Sequence, residues 1–171
     1  MDDFSWLVAL IEGEGSFHIH FQRTRIYKRH YLRGFPAFAI SLKDEDGPAL
    51  RKVSEILASF GVKSRIRHRS TKNPKWSGST TIAVSYWLEA RKLRDILSHV
   101  QWRFPSKAKA FALWSKAIDL IERNSKDFGK YRRVKWSDEL LLELMRLRES
   151  GMNGKGAIRR YHSLRSWSIP N

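Results

Sequence analysis

The apolar residues near the N-terminus recur with the spacing of an amphipathic helix. Within residues 4–12 the i, i+3 and i+7 positions are Phe4, Leu7 and Ile11. A second face carries a small residue at every fourth position, namely Ser5, Ala9 and Gly13. Small residues at this spacing allow a second helix to pack closely. Glycines at positions 13 and 15 are expected to end the helix.

Two stretches that follow alternate between apolar and polar residues, as half-buried strands do. In residues 16–22 the apolar positions are Phe17, Ile19 and Phe21. In residues 35–42 they are Phe38, Ile40 and Leu42. A basic connection, residues 23–33, separates the two. They are predicted to form a hairpin with one face on a core and the other exposed.

The same succession of elements then repeats. A helix is predicted with Asp44 or Asp46 as its cap, Pro48 in its first turn and Gly61 at its end. Its inner face is predicted to carry Leu50, Val53, Leu57 and Phe60. Two strands, residues 62–69 and 80–87, follow on either side of a turn-rich connection. The core side of the second strand is predicted to be Ile82, Val84 and Tyr86.

Two more helices complete the pattern. A short one is expected near residues 89–98, and a longer one runs from Pro105 to about Glu122. The buried stripe of the longer helix is predicted to be Phe111, Trp114, Ile118 and Ile121. The order is therefore αββαββα, an α+β core whose four-stranded antiparallel sheet is backed by helices on one face. The other face is left free for a ligand.

The C-terminal part of the chain differs in character and defines a second predicted unit. Residues 1–123 form the predicted core domain, and residues 124–171 form a basic linker and a helical extension. Ser137 is the expected cap of the first tail helix. A second short helix could follow, in an arrangement similar to helix-turn-helix. The extension either contacts DNA or docks on the core domain.

Composition narrows the function. The 171 residues contain 33 Lys and Arg against 17 Asp and Glu, a formal charge of +16, which indicates a polyanionic partner such as nucleic acid. The absence of cysteine excludes disulfides, thiol catalysis and Cys-ligated metals, and leaves carboxylate oxygens for a metal such as Mg²⁺. No apolar run is long enough for a membrane span, and no signal peptide is expected, because Asp2 and Asp3 stand where the basic residues of one would lie. A soluble intracellular protein is expected, in a prokaryotic cytoplasm or an organelle interior, without a membrane partner.

Two windows without acidic residues, 15–43 and 56–88, hold twelve basic residues. They indicate one electropositive surface built from two similar segments. All the predicted DNA-contacting side chains except Lys109 lie in these windows, and Arg65, Arg67, Arg69 and Gln22 suit readout of base edges. The full predicted set is His18, His20, Gln22, Arg23, Arg25, Lys28, Arg29, Arg33, Ser41, Lys63, Arg65, Arg67, Arg69, Lys72, Lys75, Trp76 and Lys109. A two-histidine metal site at His18 and His20 is less favoured, because no third ligand is nearby.

Residues 7–15 read LVALIEGEG and resemble the LAGLIDADG motif of homing endonucleases. The matching positions are Leu7, Leu10, Ile11, the acids Glu12 and Glu14, and Gly15. Glutamate replaces the commoner aspartate at both acidic positions. The predicted αββαββα order over residues 4–122 is also that of the family's core. The tail lies outside the resemblance.

The resemblance implies a homodimeric, intron-encoded endonuclease that makes a double-strand break in a long pseudopalindromic DNA target. The chain has one motif copy, and single-copy members pair through the motif helices, here through Ser5, Ala9 and Gly13. The family pattern assigns a divalent cation, Mg²⁺ or Mn²⁺, to Glu14 and the carbonyl of Gly13. Glu12 is then a structural residue near the helix end.

The resemblance also implies a basic residue near the cleaved phosphate. Lys107 matches that place, with Lys109 as the rival. Some relatives carry a polar residue that positions the attacking water where this chain has Leu42. Its neighbours Ser41, Lys43 and Asp44 are the alternatives.

Two other functions compete with the endonuclease. The family includes RNA-splicing maturases, and a non-catalytic DNA-binding regulator could use the same scaffold. The narrow major groove of A-form RNA disfavours RNA as the only partner, because a two-stranded ribbon does not fit it. Two acids placed near phosphates without a metal would repel DNA, which disfavours the regulator.

Overall fold

The structure is a computed structural model that describes residues 2–26, 29–70, 78–128 and 131–151. Its elements are α1 (Asp3–Glu14), β1 (Gly15–Ile26), β2 (Arg29–Lys43), a 3₁₀ turn (Asp44–Asp46), α2 (Gly47–Ser59), β3 (Arg65–Arg69), β4 (Ser79–Val84), α3 (Trp87–Leu97), α4 (Pro105–Arg123), β5 (Ser125–Phe128), β6 (Tyr131–Val134) and α5 (Asp138–Gly151). The predicted αββαββα core and the α+β class are confirmed. Among the described helices, none has both the length and the apolar run that a membrane crossing requires.

The first four strands form one antiparallel sheet in the order β1-β2-β4-β3. Phe38 in β2 pairs with Phe17 on one side and with Val84 on the other. Because β3 is an edge strand, all five of its residues are exposed. Helices cover one face of the sheet. Because successive side chains of a strand point to opposite faces, every second residue of these strands lies on the uncovered face.

The core lies between the sheet and the helices and is rich in aromatic rings. The Phe17 ring lies 5.0 Å from the Trp114 ring and 5.3 Å from the Phe38 ring. In α1, Leu7 and Ile11 are fully buried. Each such burial contributes about 1.5–3 kcal/mol, which fixes the face that α1 turns to the core. The small residues at positions 5, 9 and 13 are left exposed.

The β1–β2 hairpin is longer than the sequence predicts. Residues 23–33 were expected to form a connection, but β1 continues to Ile26 and β2 begins at Arg29. The reason lies in the tail, because apolar residues of α5 pack against Phe21 and Leu32 on this part of the hairpin. The alternation of apolar and polar residues in the two strands does not predict that α5 packs on the outer part of the hairpin.

Three other details differ from the prediction, each at the end of an element. Tyr86 is 52% exposed, because β4 ends at Val84 and Trp87 at the start of α3 takes the buried place. Phe60 is 44% exposed, because α2 ends one residue before it. Gly13 does not break α1, which continues to Glu14.

The tail helix docks on the core, and part of the predicted linker is a two-stranded hairpin, β5–β6. Leu140 and Leu144 of α5 share one apolar cluster with Ile19, Ala117 and Ile121. The hydroxyl of the residue before α5, Ser137, accepts a hydrogen bond from the Leu140 N–H at 3.3 Å, so the predicted cap is confirmed. The predicted second tail helix falls outside the described residues.

The junction between α1 and β1 gives a first prediction. A Cβ on Gly15 would lie 2.6 Å from the Ile11 carbonyl oxygen, whereas a Cβ on Gly13 meets nothing within 4 Å. Gly15→Ala should therefore lower the free energy of unfolding by about 1–3 kcal/mol through overpacking. Gly47→Ala in α2 is the matched control and should raise it by about 0.5–1 kcal/mol, since Ala favours the helix and a Cβ there would make only an ordinary contact with the Thr80 hydroxyl at 3.8 Å.

Urea denaturation of the two variants and the wild type measures both effects. Equal stability of the Gly15→Ala protein and the wild type would mean that the junction tolerates a side chain.

Candidate functional site

The two acids of the motif lie at the C-terminal end of α1 and face different surroundings. Glu14, the last residue of the helix, is exposed. The backbone N–H of Gly15 donates to the Ile11 carbonyl and closes the helix, after which β1 begins immediately. The Glu14 carboxylate is therefore held at a fixed helix end but is open to a ligand.

The other acid, Glu12, has a protein partner. Its Oε1 accepts a hydrogen bond from the backbone N–H of Arg103, in the segment between α3 and α4. This contact ties the end of α1 to the start of α4. It agrees with the structural role that the sequence assigned to Glu12, and it leaves Glu14 as the acid without such a tether.

Lys107 reaches the same junction from α4. Its Nζ donates a hydrogen bond to the carbonyl oxygen of Gly15. Burial lowers the pKa of the Lys107 ammonium from its ordinary value, and the carboxylates of Glu12 and Glu14 partly oppose this by raising it. The structure thus brings together the helix-end acids and the lysine that the sequence paired with them, and Lys109 lies exposed on the same helix.

The donors of one chain make an incomplete metal site. Within the described residues, no three His, Asp or Glu side chains cluster in a way that could hold a cation. One exposed carboxylate and the neighbouring backbone carbonyls are hard oxygen donors of the kind that Mg²⁺ prefers. The exposed small face of α1, formed by Ser5, Ala9 and Gly13, leads to the same helix end. A second copy against that face would bring a second carboxylate to the site.

A groove of about 610 Å³ runs along the uncovered face of the sheet. Its lining includes the small residues Ala37, Ala39 and Ala83 and the aromatic residues Phe35 and Tyr86. One wall is formed by His18, His20 and Gln22 of β1, and the other by Arg65 and Arg67 of β3. The volume between the polar wall and the basic wall leaves room for a bulky anionic ligand.

The remaining predicted DNA-contacting residues are spread more widely. Arg33 pairs with Gln22, and Ser41 and Arg69 continue the outward face of their strands. Arg23 falls on the alternate positions that include Phe21, the opposite face from the groove. Lys63 is exposed just before β3, and its N–H donates to Glu89. Predicted residues outside the described side chains are Arg25, Lys28, Arg29, Lys72, Lys75 and Trp76.

The histidine wall has an unusual electrostatic setting. Burial lowers the pKa of the His18 imidazole, and the nearby His20 and Arg148 lower it further, while a hydrogen bond with Ser16 opposes the shift. Although the side chain is partly exposed, its ring therefore favours the neutral form at neutral pH. A neutral imidazole can both donate and accept one hydrogen bond.

The three alternatives for the water-positioning residue lie in different surroundings. The Ser41 hydroxyl lies 2.7 Å from that of Thr81, on the groove side of the sheet. Lys43 continues that face and is exposed. The Asp44 carboxylate instead accepts from the Thr80 hydroxyl at 2.9 Å and lies 3.0 Å from His68, so it is already engaged.

The sequence analysis did not predict Phe35, Ser85 and Tyr86 in the lining of the groove, nor Thr81 and Arg148 close to it. Thr81 lies in β4 on the face opposite to the buried residues Ile82 and Val84, so the alternation of that strand could have indicated it. Arg148 lies beside His18 and His20, with which it lines a smaller cavity of about 290 Å³. Its position depends on the docking of α5, for which the sequence carries no local signal.

The family model described as the LAGLIDADG-like domain matches residues 2–98, more than half of the chain. The chain therefore belongs to the LAGLIDADG family. No curated protein sequence matches it significantly.

Solved structures share the fold over nearly the whole chain. The homing endonuclease I-TnaI aligns with a TM-score of 0.68 at 14% identity, over 97% of each chain. I-Vdi141I, an archaeal intron-encoded homing endonuclease complexed with DNA, aligns with 0.61 at 21% identity, over 91% of this chain and 88% of that one. I-CpaMI, a LAGLIDADG meganuclease bound to uncleaved DNA, aligns with 0.67 at 19% identity. This chain spans 51% of the length of I-CpaMI, so the fold corresponds to one half of that protein.

The lysine at the junction gives a second prediction. In an NMR titration, Lys107 should have a pKa below the ordinary lysine value, because burial outweighs the two carboxylates. Glu12→Gln should lower that pKa further, since it removes a negative charge but keeps an oxygen for the Arg103 N–H. Because the folded state then binds fewer protons than the unfolded state, Lys107 makes stability rise with pH between its folded and its ordinary pKa.

Glu55→Gln, at an exposed position on α2, is the control and should leave the Lys107 pKa unchanged. A Lys107 that titrates at the ordinary lysine value, or that ignores Glu12→Gln, would contradict this electrostatic picture.

Proposed function

We propose that this chain is a homing endonuclease that works as a homodimer and cuts both strands of a long, pseudopalindromic DNA target. The observation that carries the proposal is the position of Glu14. It is an exposed acid at the end of a helix whose small-residue face is also exposed, and Lys107 contacts the adjoining carbonyl. This arrangement suits one half of a two-fold symmetric site.

Double-stranded DNA as the partner is supported by the charge and shape of the groove. The formal charge of the chain is +16, and arginine and histidine side chains line a groove on an antiparallel sheet. A two-stranded ribbon fits the major groove, where Arg65 and Arg67 can each donate two hydrogen bonds to guanine. I-CpaMI and I-Vdi141I, which share the fold, are complexes with DNA. We extend that partner to this chain, and we assign its gene to a mobile intron.

The proposed chemistry is phosphodiester hydrolysis with Mg²⁺ or Mn²⁺, held by Glu14 and the Gly13 carbonyl of each subunit. When bound, such a cation stabilises negative charge on the scissile phosphate. Lys107 places an ammonium next to the junction, where it can donate to a phosphate oxygen or hold a water. Burial lowers the pKa of Lys107, which weakens the hold of its ammonium on a proton.

The third prediction tests the metal-binding acid. Glu14→Gln should abolish Mg²⁺-dependent cleavage, because the amide keeps the size but loses the charge that a cation requires. DNA binding should persist or tighten, since one negative charge leaves a surface that faces phosphates. The substrate is a plasmid library of intronless loci, or of randomised inserts selected for binding, assayed with and without Mg²⁺.

Glu55→Gln serves as the matched control and should cleave like the wild type, since its exposed carboxylate lies on α2. Wild-type cleavage rates in the Glu14→Gln protein would remove this acid from the proposed mechanism. A wild-type protein that binds no duplex DNA would overturn the proposed function itself.

The fourth prediction tests the pairing of two chains. Ala9→Leu places a branched side chain on the exposed small face of α1, so it should turn a dimer into a monomer and prevent double-strand cleavage. Ala58→Leu, on the exposed side of α2, makes the same change away from that face and should leave the dimer intact. Sedimentation equilibrium measures the mass of each variant. A monomeric wild type that still cuts both strands, one chain per target, would refute the pairing.

A further inference from the structure

Among the described residues, the outer part of the β1–β2 hairpin has no neighbouring strand. This outer hairpin comprises residues 20–26 of β1 and 29–35 of β2, which pair with each other. Strand β4 joins β2 between Phe38 and Lys43, further along the sheet. A two-stranded ribbon is only marginally stable in water unless something packs against it. The outer hairpin therefore needs a support that the four-stranded sheet does not provide.

Helix α5 packs against the covered face of this ribbon. Leu141 and Met145 form an apolar cluster with Phe21 and Leu32 of the hairpin. The Arg148 guanidinium lies 5.7 Å from the centre of the Phe21 ring. The helix thus covers the ribbon along more than two turns, through both an apolar cluster and a cation–π contact.

Gly34 makes the closest part of this contact possible. A Cβ at that position would lie 2.9 Å from Cδ1 of Leu144 and 3.1 Å from the Phe21 ring. Leu144 is fully buried and also joins the cluster around Ile19, so it connects the ribbon to the main body. Just before α5, the Trp136 ring packs edge-on against Phe35 at 5.8 Å.

The opposite face of the ribbon carries candidate base-reading residues. Gln22 pairs with Arg33 and His20 pairs with Phe35, in rows that continue the groove outward. The orientation of these rows relative to the inner strands depends on how firmly the ribbon is held. The inner strands have a different support, because residues of α2 such as Leu50 and Leu57 pack in the main core.

We propose that α5 is the support that orients the outer hairpin, and that Leu144 is a positioning residue for sequence selectivity at the outer base pairs of each DNA half-site. The selectivity part rests on the proposed function. The mechanical part concerns this chain alone and can be tested without DNA.

Hydrogen exchange of the full-length protein tests the mechanical part. Leu144→Ala should speed the exchange of outer-hairpin amides by about tenfold or more, because it removes the buried contact that holds the ribbon. Amides of β4 should change little. Leu93→Ala is the matched control, since it removes an equally buried leucine from α3 in the main core. It should affect β4 at least as much as the outer hairpin.

A Leu144→Ala protein whose β4 and outer-hairpin amides accelerate equally, or whose outer hairpin does not change, would overturn the proposal. If this variant does not fold, Leu144→Val gives a smaller cavity and should produce a weaker effect in the same amides. Uniform acceleration in that variant would count equally against the support role.

Binding selections from a randomised DNA library test the selectivity part. Leu144→Ala should lose base preference at the outer positions of both half-sites and keep it at the inner positions. Unchanged outer preference would refute the positioning role of Leu144. A wild type that selects no DNA would instead overturn the proposed function, while the exchange contrast between the two leucine variants would stand.

Discussion

The contact between α1 and β1 at Gly15 determines where the acid of the motif lies. Gly15 has no side chain, so the strand can start directly at the helix end. Any larger residue at that position would collide with the Ile11 carbonyl. Ile11 and Leu7 are fully buried, so the helix cannot rotate to hide its other face. As a consequence Glu14 and the small residues of α1 are both exposed, and Lys107 reaches the same junction from α4.

The sheet divides the functions of the molecule between its two faces. One face is buried under four helices of the core and by α5, and this burial supplies most of the stabilisation. The other face keeps small residues in its middle and basic or imidazole side chains at its sides. Because strand side chains alternate, each buried apolar residue places a neighbour in the groove. Packing and ligand recognition are therefore set by the same alternation.

Local sequence patterns predicted the helices and strands and most of their buried faces, because these features depend on residues that are close together in the sequence. The strict alternation around Phe17 and Phe38 gave the hairpin and its buried face, and the motif gave the helix end with its acids. Tyr86 and Phe60 were assigned to the wrong side because each lies just past the end of its element, where periodicity no longer applies. The ends of helices and strands, which caps and turns determine, are harder to predict from the sequence than the elements themselves.

Long-range contacts account for what the sequence did not predict. The extended part of β1 and β2 packs against α5, which is more than a hundred residues away along the chain. No local sequence pattern predicts this contact. The contacts of Arg103 with Glu12 and of Lys107 with Gly15 likewise join distant segments. The sequence therefore predicts which residues could carry the chemistry, and the fold shows which of them lie close together.

The central claim is that one chain holds half of an active site. Mixed dimers test it most directly, by co-refolding the wild type with the Glu14→Gln variant in varied ratios. If both acids are needed to cut each strand, mixed dimers should cut neither strand, so the total of nicks and double-strand breaks should fall with the square of the wild-type fraction, to about one quarter in an equal mixture. A linear fall, to about half in that mixture, would mean that a single chain carries a complete site and would contradict the account.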